Sequence, residues 1–300
     1  MFRSLRVLIL PLICLLLAVM RPAVAANDTP ANGNYLGSRL VASQPQGTCP
    51  PDISPFYQAY EIVTGTDMRQ RPWGFARTLR EVLVKVSGDP RLKDDPRTAP
   101  LTDRAADFVA CFGYADQMAD IPLHDEQGTY DRPYKLTVTF DPGKIDALLA
   151  TFGDKPWRGA RPGILPVLLV RGPKPPPYLL STDEPRAKEQ RAAFIEAAGQ
   201  FGIRVLIPNQ RLLGDFVASI DHFKPAPAPP YLGNMLVSGT LEWNETLPGW
   251  IGNWATQWDH VDHRWGIRGV NYDAAFRDIV AGVELIASGN GSPDPDHAQH

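Results

Sequence analysis

Residues 164–170 read ILPVLLV, and this unbroken apolar run decides the fold class. Such a run is typical of a strand that is covered on both faces of its sheet. A predicted helix over residues 184–200 follows it, and a second apolar segment occupies residues 203–207. A strand, a helix and a strand in this order predict a parallel β-α-β unit. We therefore expect an α/β fold.

Three more strands and a final helix are predicted downstream of this unit. The strand-like segments cover residues 235–243, 250–258 and 264–270. Asp273 is a favourable helix N-cap residue, and an apolar stripe with helical spacing follows it. We expect residues 156–288 to form one C-terminal α/β unit with a mixed sheet.

A smaller α+β unit is expected over residues 55–155. Alternating apolar residues predict strands over residues 57–64 and 134–140. An apolar stripe predicts a helix over residues 72–86, and the glycine that follows at position 88 is placed to end it.

Two further helices are predicted inside this smaller unit. One is expected to run through Asp107 and Cys111. The other is expected to begin at Asp141, because an N-cap residue followed by proline is a typical helix start.

Residues 1–25 have the features of a signal peptide. Two arginines give a positive start, residues 7–20 are apolar, and the segment closes with Ala-Val-Ala. We expect cleavage after Ala25. One alternative is an uncleaved anchor, for which the apolar run is short. The other is lipidation at Cys14, which lacks the small preceding residue that lipidation needs.

The segments that flank the folded units are polar and lack an apolar period. Residues 26–54 predict a mobile arm, and residues 289–300 predict a disordered tail. No second apolar run is long enough to span a membrane, so we expect a periplasmic or secreted protein after signal cleavage.

The charge of the mature chain bears on its partners. Removal of the signal leaves 27 Lys and Arg against 33 Asp and Glu, a net charge of −6. Proteins that bind nucleic acid through phosphate contacts carry a concentrated basic excess instead. We therefore do not expect nucleic acid as a partner.

Two cysteines remain in the mature chain, Cys49 and Cys111. In an oxidising compartment thiols seldom stay free, so these two are expected to form a disulfide. Two reduced thiols are the alternative. A zinc site is less favoured, because neither cysteine has a Cys or His neighbour at ligand spacing.

The common catalytic and cofactor-binding motifs are missing from the sequence. It contains no glycine-rich phosphate loop, no G-x-S-x-G elbow, no H-E-x-x-H helix and no dinucleotide fingerprint. We therefore expect no cofactor. An enzyme would have to be built from dispersed residues.

One segment holds a candidate metal site, formed by Asp259, His260, Asp262 and His263. Two histidines and two aspartates this close together suit a divalent cation. They also lie where a strand must reverse, and Asp and His are ordinary turn residues. A surface hairpin is therefore the competing interpretation. A metal site would need a further ligand from elsewhere, and the sequence does not place His124 or His222 beside this segment.

Five of the seven tryptophans fall within 23 residues: Trp243, Trp250, Trp254, Trp258 and Trp265. Three of them are four residues apart in one predicted strand, so they share a face of the sheet. If exposed, this face would stack on sugars or hold an apolar peptide. If covered by helices, it would be core.

The chain also resembles a family of secreted proteobacterial proteins known as domain-of-unknown-function family 2066. The resemblance rests on YEIV at residues 60–63, ARTLREVLVKVSG at 76–88 and LTVTFDPGKIDALL at 136–149. Further points are Trp157, Arg161-Pro162, LVSG at 236–239, Trp254 and the helix that starts near Asp273. It covers residues 55–288, and implies a fold but no activity or catalytic residue.

These observations favour an exported envelope protein that acts as a non-catalytic binding or assembly factor. An envelope protein or a glycan is the expected partner. The alternative is a metal-dependent or other hydrolase that acts on envelope material.

Overall fold

The computed structural model describes residues 49–120, 132–214, 234–246 and 248–293. The predicted signal peptide, its cleavage site after Ala25 and most of the predicted arm lie outside these residues. The same holds for the last residues of the predicted tail, 294–300.

Three antiparallel strands form the first sheet, sheet A, in the order β1-β3-β2. They are β1 (Gln58–Thr64), β2 (Val109–Asp116) and β3 (Pro133–Phe140). Both strands predicted for this unit are confirmed. Because β3 is central, β1 and β2 form the two edges of sheet A.

Helices α1 (Arg71–Ser87) and α2 (Pro142–Thr151) pack with sheet A in one core. The end of α1 is set by Gly88, which has a φ of 73° and donates its amide to the Val84 carbonyl. The start of α2 is set by Asp141, whose carboxylate accepts the Lys144 amide. Both helices are therefore confirmed with the predicted caps.

The predicted helix through Asp107 and Cys111 is wrong. Residues Ala105–Phe108 form a short 3₁₀ helix, and the chain then extends into β2. Aromatic side chains in this segment favour a strand, and pairing with β3 overrides the weak helical pattern. The predicted disulfide between Cys49 and Cys111 is confirmed, with the Cα atoms 5.2 Å apart.

Five strands form the second sheet, sheet B, in the order β5-β4-β6-β7-β8. Strands β4 and β6 are parallel, and the other neighbours are antiparallel, so the sheet is mixed. The α/β fold class is confirmed. The strands are β4 (Gly163–Arg171), β5 (Tyr178–Leu179), β6 (Asn234–Asn244), β7 (Gly249–Trp258) and β8 (Val261–Val270).

The strand predicted over residues 203–207 is reduced to one parallel bridge, between Ile164 and Val205. This bridge lies on the edge of β4 that faces away from β6. The far end of the same edge is occupied by β5, which pairs with Leu169 and Val170. The next hydrogen bond of a parallel ladder would need an N–H from residue 166, which is a proline, so the pairing stops at a single bridge.

Three helices accompany sheet B: α3 (Lys188–Phe201), α4 (Gln210–Gly214) and α5 (Tyr272–Ala287). Helices α3 and α5 share one core with the sheet, where the rings of Phe194 and Phe276 stack with centroids 4.7 Å apart. The N-cap of α5 is Asn271, not Asp273 as predicted. The Asn271 side chain accepts the Ala274 amide, while Asp273 lies in the first turn. None of the described helices has the length and apolar character of a membrane span.

Candidate functional site

A cavity of about 460 Å³ lies where the β1 edge of sheet A meets α1 and the end of α3. We call it the edge groove. Its walls combine apolar surface with polar side chains of both charges, which is typical of a ligand site. It is lined by Pro55, Phe56, Gln58, Ala59, Tyr60, Glu81, Lys85, Lys135, Thr137, Gly199, Gln200 and Gly202.

Helix α1 contributes Glu81 and Lys85, one turn apart on the same side of the helix. Burial, together with the nearby Glu61 carboxylate, raises the pKa of Glu81 to about 7. Lys85 is 7% exposed, and its ammonium donates a 2.7 Å hydrogen bond to the Gln58 carbonyl. Burial lowers the pKa of Lys85. One wall of the groove therefore pairs a carboxyl that titrates near neutral pH with a desolvated ammonium.

The opposite wall is formed by the outer face of sheet A. Tyr60 is paired with Thr137 across the sheet, and the Lys135 ammonium lies 3.9 Å from the centroid of the Tyr60 ring. The Tyr60 hydroxyl approaches Glu196 of α3 at 3.4 Å. This wall presents a cation on an aromatic ring, with the α3 carboxylate beside it.

The apolar end of the groove depends on a close approach between Phe56 and Gly202. Gly202 ends α3 with a φ of 72°, in the left-handed region. A Cβ atom at this position would lie 2.7 Å from Cε1 of Phe56. Glycine is therefore required there both by the backbone and by the aromatic ring.

A buried ion pair adjoins the groove. The Arg161 guanidinium lies 4.1 Å from the ring centroids of both Phe56 and Trp157. It donates to Glu284 on α5 at 3.2 Å and to the Lys85 carbonyl at 2.5 Å. Burial raises the pKa of Glu284 well above its usual range, although Arg161 opposes that shift. Because Arg161 holds the Lys85 backbone, this pair supports the groove wall from behind.

A second cavity, of about 410 Å³, is more polar but already paired. Arg91 donates from two nitrogens to Asp89, and Arg97 does the same to Asp95. Since these guanidiniums are engaged by neighbouring carboxylates, this cavity offers a ligand fewer free donors than the edge groove.

The predicted metal-site residues form a hairpin between β7 and β8. Asp259 and His260 are its two turn residues, with φ of 48° and 65°. Asp262 accepts a 2.8 Å hydrogen bond from Gln257, and His263 Nδ1 lies 2.6 Å from the Ser292 hydroxyl.

A metal site at this hairpin needs a set of ligand side chains that lie close together. Within the described ranges, no group of three or more His, Cys, Asp or Glu side chains is placed to hold a metal. His124 and His222 lie outside the described residues. The described segment has the geometry of a hairpin, with Asp259 and His260 in the turn and Asp262 and His263 at the start of β8.

The tryptophan face predicted as a binding surface is core in this structure. Trp250, Trp254 and Trp265 are 9%, 1% and 5% exposed, and Trp243 and Trp258 pack against the same cluster. Trp254 donates its indole N–H to Asp278 on α5 at 2.9 Å. The described structure therefore places Trp250, Trp254 and Trp265 in the core, with Trp243 and Trp258 partly buried at its margin.

The edge groove itself was not predicted from the sequence. The four-residue spacing of Glu81 and Lys85 puts both charges beside the apolar stripe of α1, and this was the available signal. A further wall, formed by Gly199, Gln200 and Gly202, comes from the end of α3, more than 100 residues later in the chain. Only the tertiary structure brings that wall to β1.

Comparison with known proteins gives one match. A family model described as a domain of unknown function (DUF8605) matches residues 52–158. The matched segment contains all three strands of sheet A, with α1 and α2. No curated protein and no solved structure gives a significant match.

Proposed function

We propose that this chain is an exported envelope protein that acts as a non-catalytic binding or assembly factor through the edge groove. The observation that carries the proposal is the convergence of polar side chains from separate elements in one cavity: Tyr60 from β1, Lys85 from α1 and Gln200 from α3. Concave sites with apolar walls and a few well-placed polar groups are the usual form of a ligand site.

The proposed compartment is the periplasm or the exterior, reached after signal cleavage behind Ala25. The Cys49–Cys111 disulfide supports this, since disulfides persist mainly in oxidising compartments. Membership of the secreted proteobacterial family 2066 belongs to the same proposal and rests on sequence resemblance. An intact mass of the purified mature chain that begins at Ala26 would support export, and a retained Met1 would contradict it.

The partner is proposed to be an envelope protein or a glycan, and site-specific photo-cross-linking tests whether the groove holds it. A benzophenone amino acid is placed at Gln200, which lines the groove. The matched position is Ile195, on the same helix, 50% exposed and outside the lining. A recurrent adduct from position 200 that is missing from position 195 is expected. Equal adducts from both positions, or none from either, would reject the groove as the binding site.

A hydrolase remains the second candidate, and one observation favours it. A carboxyl with a pKa of about 7, as at Glu81, is suited to general acid-base catalysis near neutral pH. The test is hydrolysis of purified envelope glycan and of a denatured protein by the mature chain and by Glu81→Gln. Turnover that is lost in the variant would favour the enzyme, and the same trace rate in both would reject it.

A further inference from the structure

Among the described residues one backbone edge of strand β1 is unpaired, and three contacts fix which residues face outward. The Gln58 amide donates to the Pro55 carbonyl, and the Gln58 carbonyl accepts a hydrogen bond from the Lys85 ammonium. Neither backbone group of Gln58 therefore pairs with β3. Thr64 lies opposite Pro133, which has no N–H to offer. The alternation of an antiparallel pair then directs the amide and carbonyl of Tyr60, Ile62 and Thr64 away from β3.

The outer edge of β1 has no partner strand among the described residues, where β1 pairs with β3 alone. The edge groove runs along the first part of this edge, from Gln58 to Tyr60. The Ile62 side chain, one step further, is 46% exposed. An edge of this kind is a template for an added strand.

The groove also holds a buried cation with unused donors. The Lys85 ammonium carries three N–H groups, and its one hydrogen bond within the described structure goes to Gln58. Lys135 adds a second ammonium on the outer wall. The Glu81 carboxyl, also in the lining, carries only part of its charge at neutral pH, because burial raises its pKa to about 7. The groove therefore favours a carboxylate from its occupant.

We infer that the occupant is an extended, acidic polypeptide segment of a partner protein, which adds a strand to the β1 edge. Its backbone pairs with Tyr60 and Ile62, and one of its carboxylates is bound by Lys85. Backbone pairing supplies affinity in this mode of recognition, and side-chain contacts supply specificity. This inference rests on the proposed binding function and narrows the partner from protein or glycan to protein.

The test begins with selection of heptapeptides from a random library on the purified mature chain. The best binder is then synthesised in three forms: unmodified, N-methylated at alternate residues, and N-methylated at the other alternate residues. Strand addition uses the amides of one alternate set only. We expect one methylated form to bind at least about tenfold more weakly and the other to bind as the unmodified peptide does.

Two variants locate the binding on the protein. Ile62→Pro removes one outward amide from an edge strand, where proline is tolerated. Lys85→Met removes the ammonium and retains a long side chain. Each is expected to weaken the peptide about tenfold or more. In the Lys85→Met variant, replacing the peptide's acidic residue with its amide should cost no further affinity. Melting temperatures close to that of the parent show that both variants are folded.

The outcomes separate this inference from the proposed function. Suppose that Lys85→Met abolishes peptide binding, while neither methylation pattern nor Ile62→Pro weakens it. The groove would then stand as a binding site, and strand addition would be overturned. A library that yields no groove-dependent peptide would overturn the inference. An adduct to a glycan at Gln200 would then leave the binding function standing.

Discussion

The guanidinium of Arg161 lies 3.2 Å from the carboxylate of Glu284, and both side chains are buried, at 8% and 0% exposed. The two residues are 123 positions apart. Arg161 follows the segment matched by the family model, whereas Glu284 belongs to the last described helix. Because Arg161 also donates to the Lys85 carbonyl of α1, the pair ties α1 to α5 beside the wall of the edge groove.

Loss of either partner in this pair should destabilise the chain strongly. Glu284→Leu leaves the Arg161 charge buried without its partner, so we expect a loss of about 3 to 5 kcal/mol in the free energy of unfolding. The double variant Arg161→Met with Glu284→Leu removes both charges and should lose clearly less. Urea unfolding measures the parent, both single variants (Arg161→Met and Glu284→Leu) and the double variant. A double variant that is as unstable as the sum of the singles would show that the pair is not coupled.

The stability of the chain should depend on pH through Glu81. Its folded pKa of about 7 lies above the ordinary value of 4.5, so between these pH values the folded chain binds the proton more tightly than the unfolded chain. Stability therefore falls as pH rises through this window, by at most about 3 kcal/mol from this residue.

The Glu81→Gln variant isolates this contribution. It should lose this part of the pH dependence and be more stable than the parent at pH 8, with little difference at pH 4. Urea unfolding at both pH values measures the effect. Other titrating groups, such as Glu284, remain in both proteins and cancel in the comparison. Parallel pH profiles of the parent and the variant would contradict the assignment to Glu81.

Much of the fold could be predicted because its signals are local. The apolar run at residues 164–170, the Asp141 cap and the Gly88 stop each depend on a few neighbouring residues. Where the local signal was weak, pairing between strands determined the secondary structure. Cys111, for example, lies in a strand because it pairs with Thr139 of β3.

The candidate site could not be predicted in the same way. Tyr60, Glu81 and Gln200 belong to three elements, and nothing in their spacing indicates that they line one cavity. The tryptophans were conspicuous in the sequence, yet whether Trp254 is exposed depends on where α5 packs. Exposure of a sheet face is a property of the tertiary structure and not of the strand's own pattern.

Two helical glycines should respond to alanine in opposite directions. A Cβ atom at Gly282 of α5 would lie 2.5 Å from the Trp265 ring, which is buried and cannot move freely. Gly282→Ala should cost about 1 to 3 kcal/mol. At Gly199 of α3 a Cβ atom meets nothing within 4 Å, so Gly199→Ala should gain about 0.5 kcal/mol from the helix propensity of alanine. Thermal unfolding of the parent and both variants measures these effects. A Gly282→Ala protein as stable as the parent would contradict the close packing of Gly282 against Trp265.

The turn between β7 and β8 should be stabilised by residues that suit its backbone. Asp259 and His260 both have positive φ, as in a type I′ hairpin turn, which favours Asn-Gly. We expect Asp259→Asn with His260→Gly to raise the free energy of unfolding by about 1 kcal/mol.

Gly269 provides a control for this backbone effect. It has a φ of 70°, and a Cβ atom there would meet nothing within 4 Å, so Gly269→Ala should cost about 1 kcal/mol through backbone strain alone.

The turn variant Asp259→Asn with His260→Gly also tests the metal hypothesis, because it removes His260. If zinc raised the melting temperature of the parent but not of the turn variant, the segment would be a ligand site. We expect zinc to change neither, since Asp262 is already hydrogen-bonded to Gln257 and His263 to Ser292.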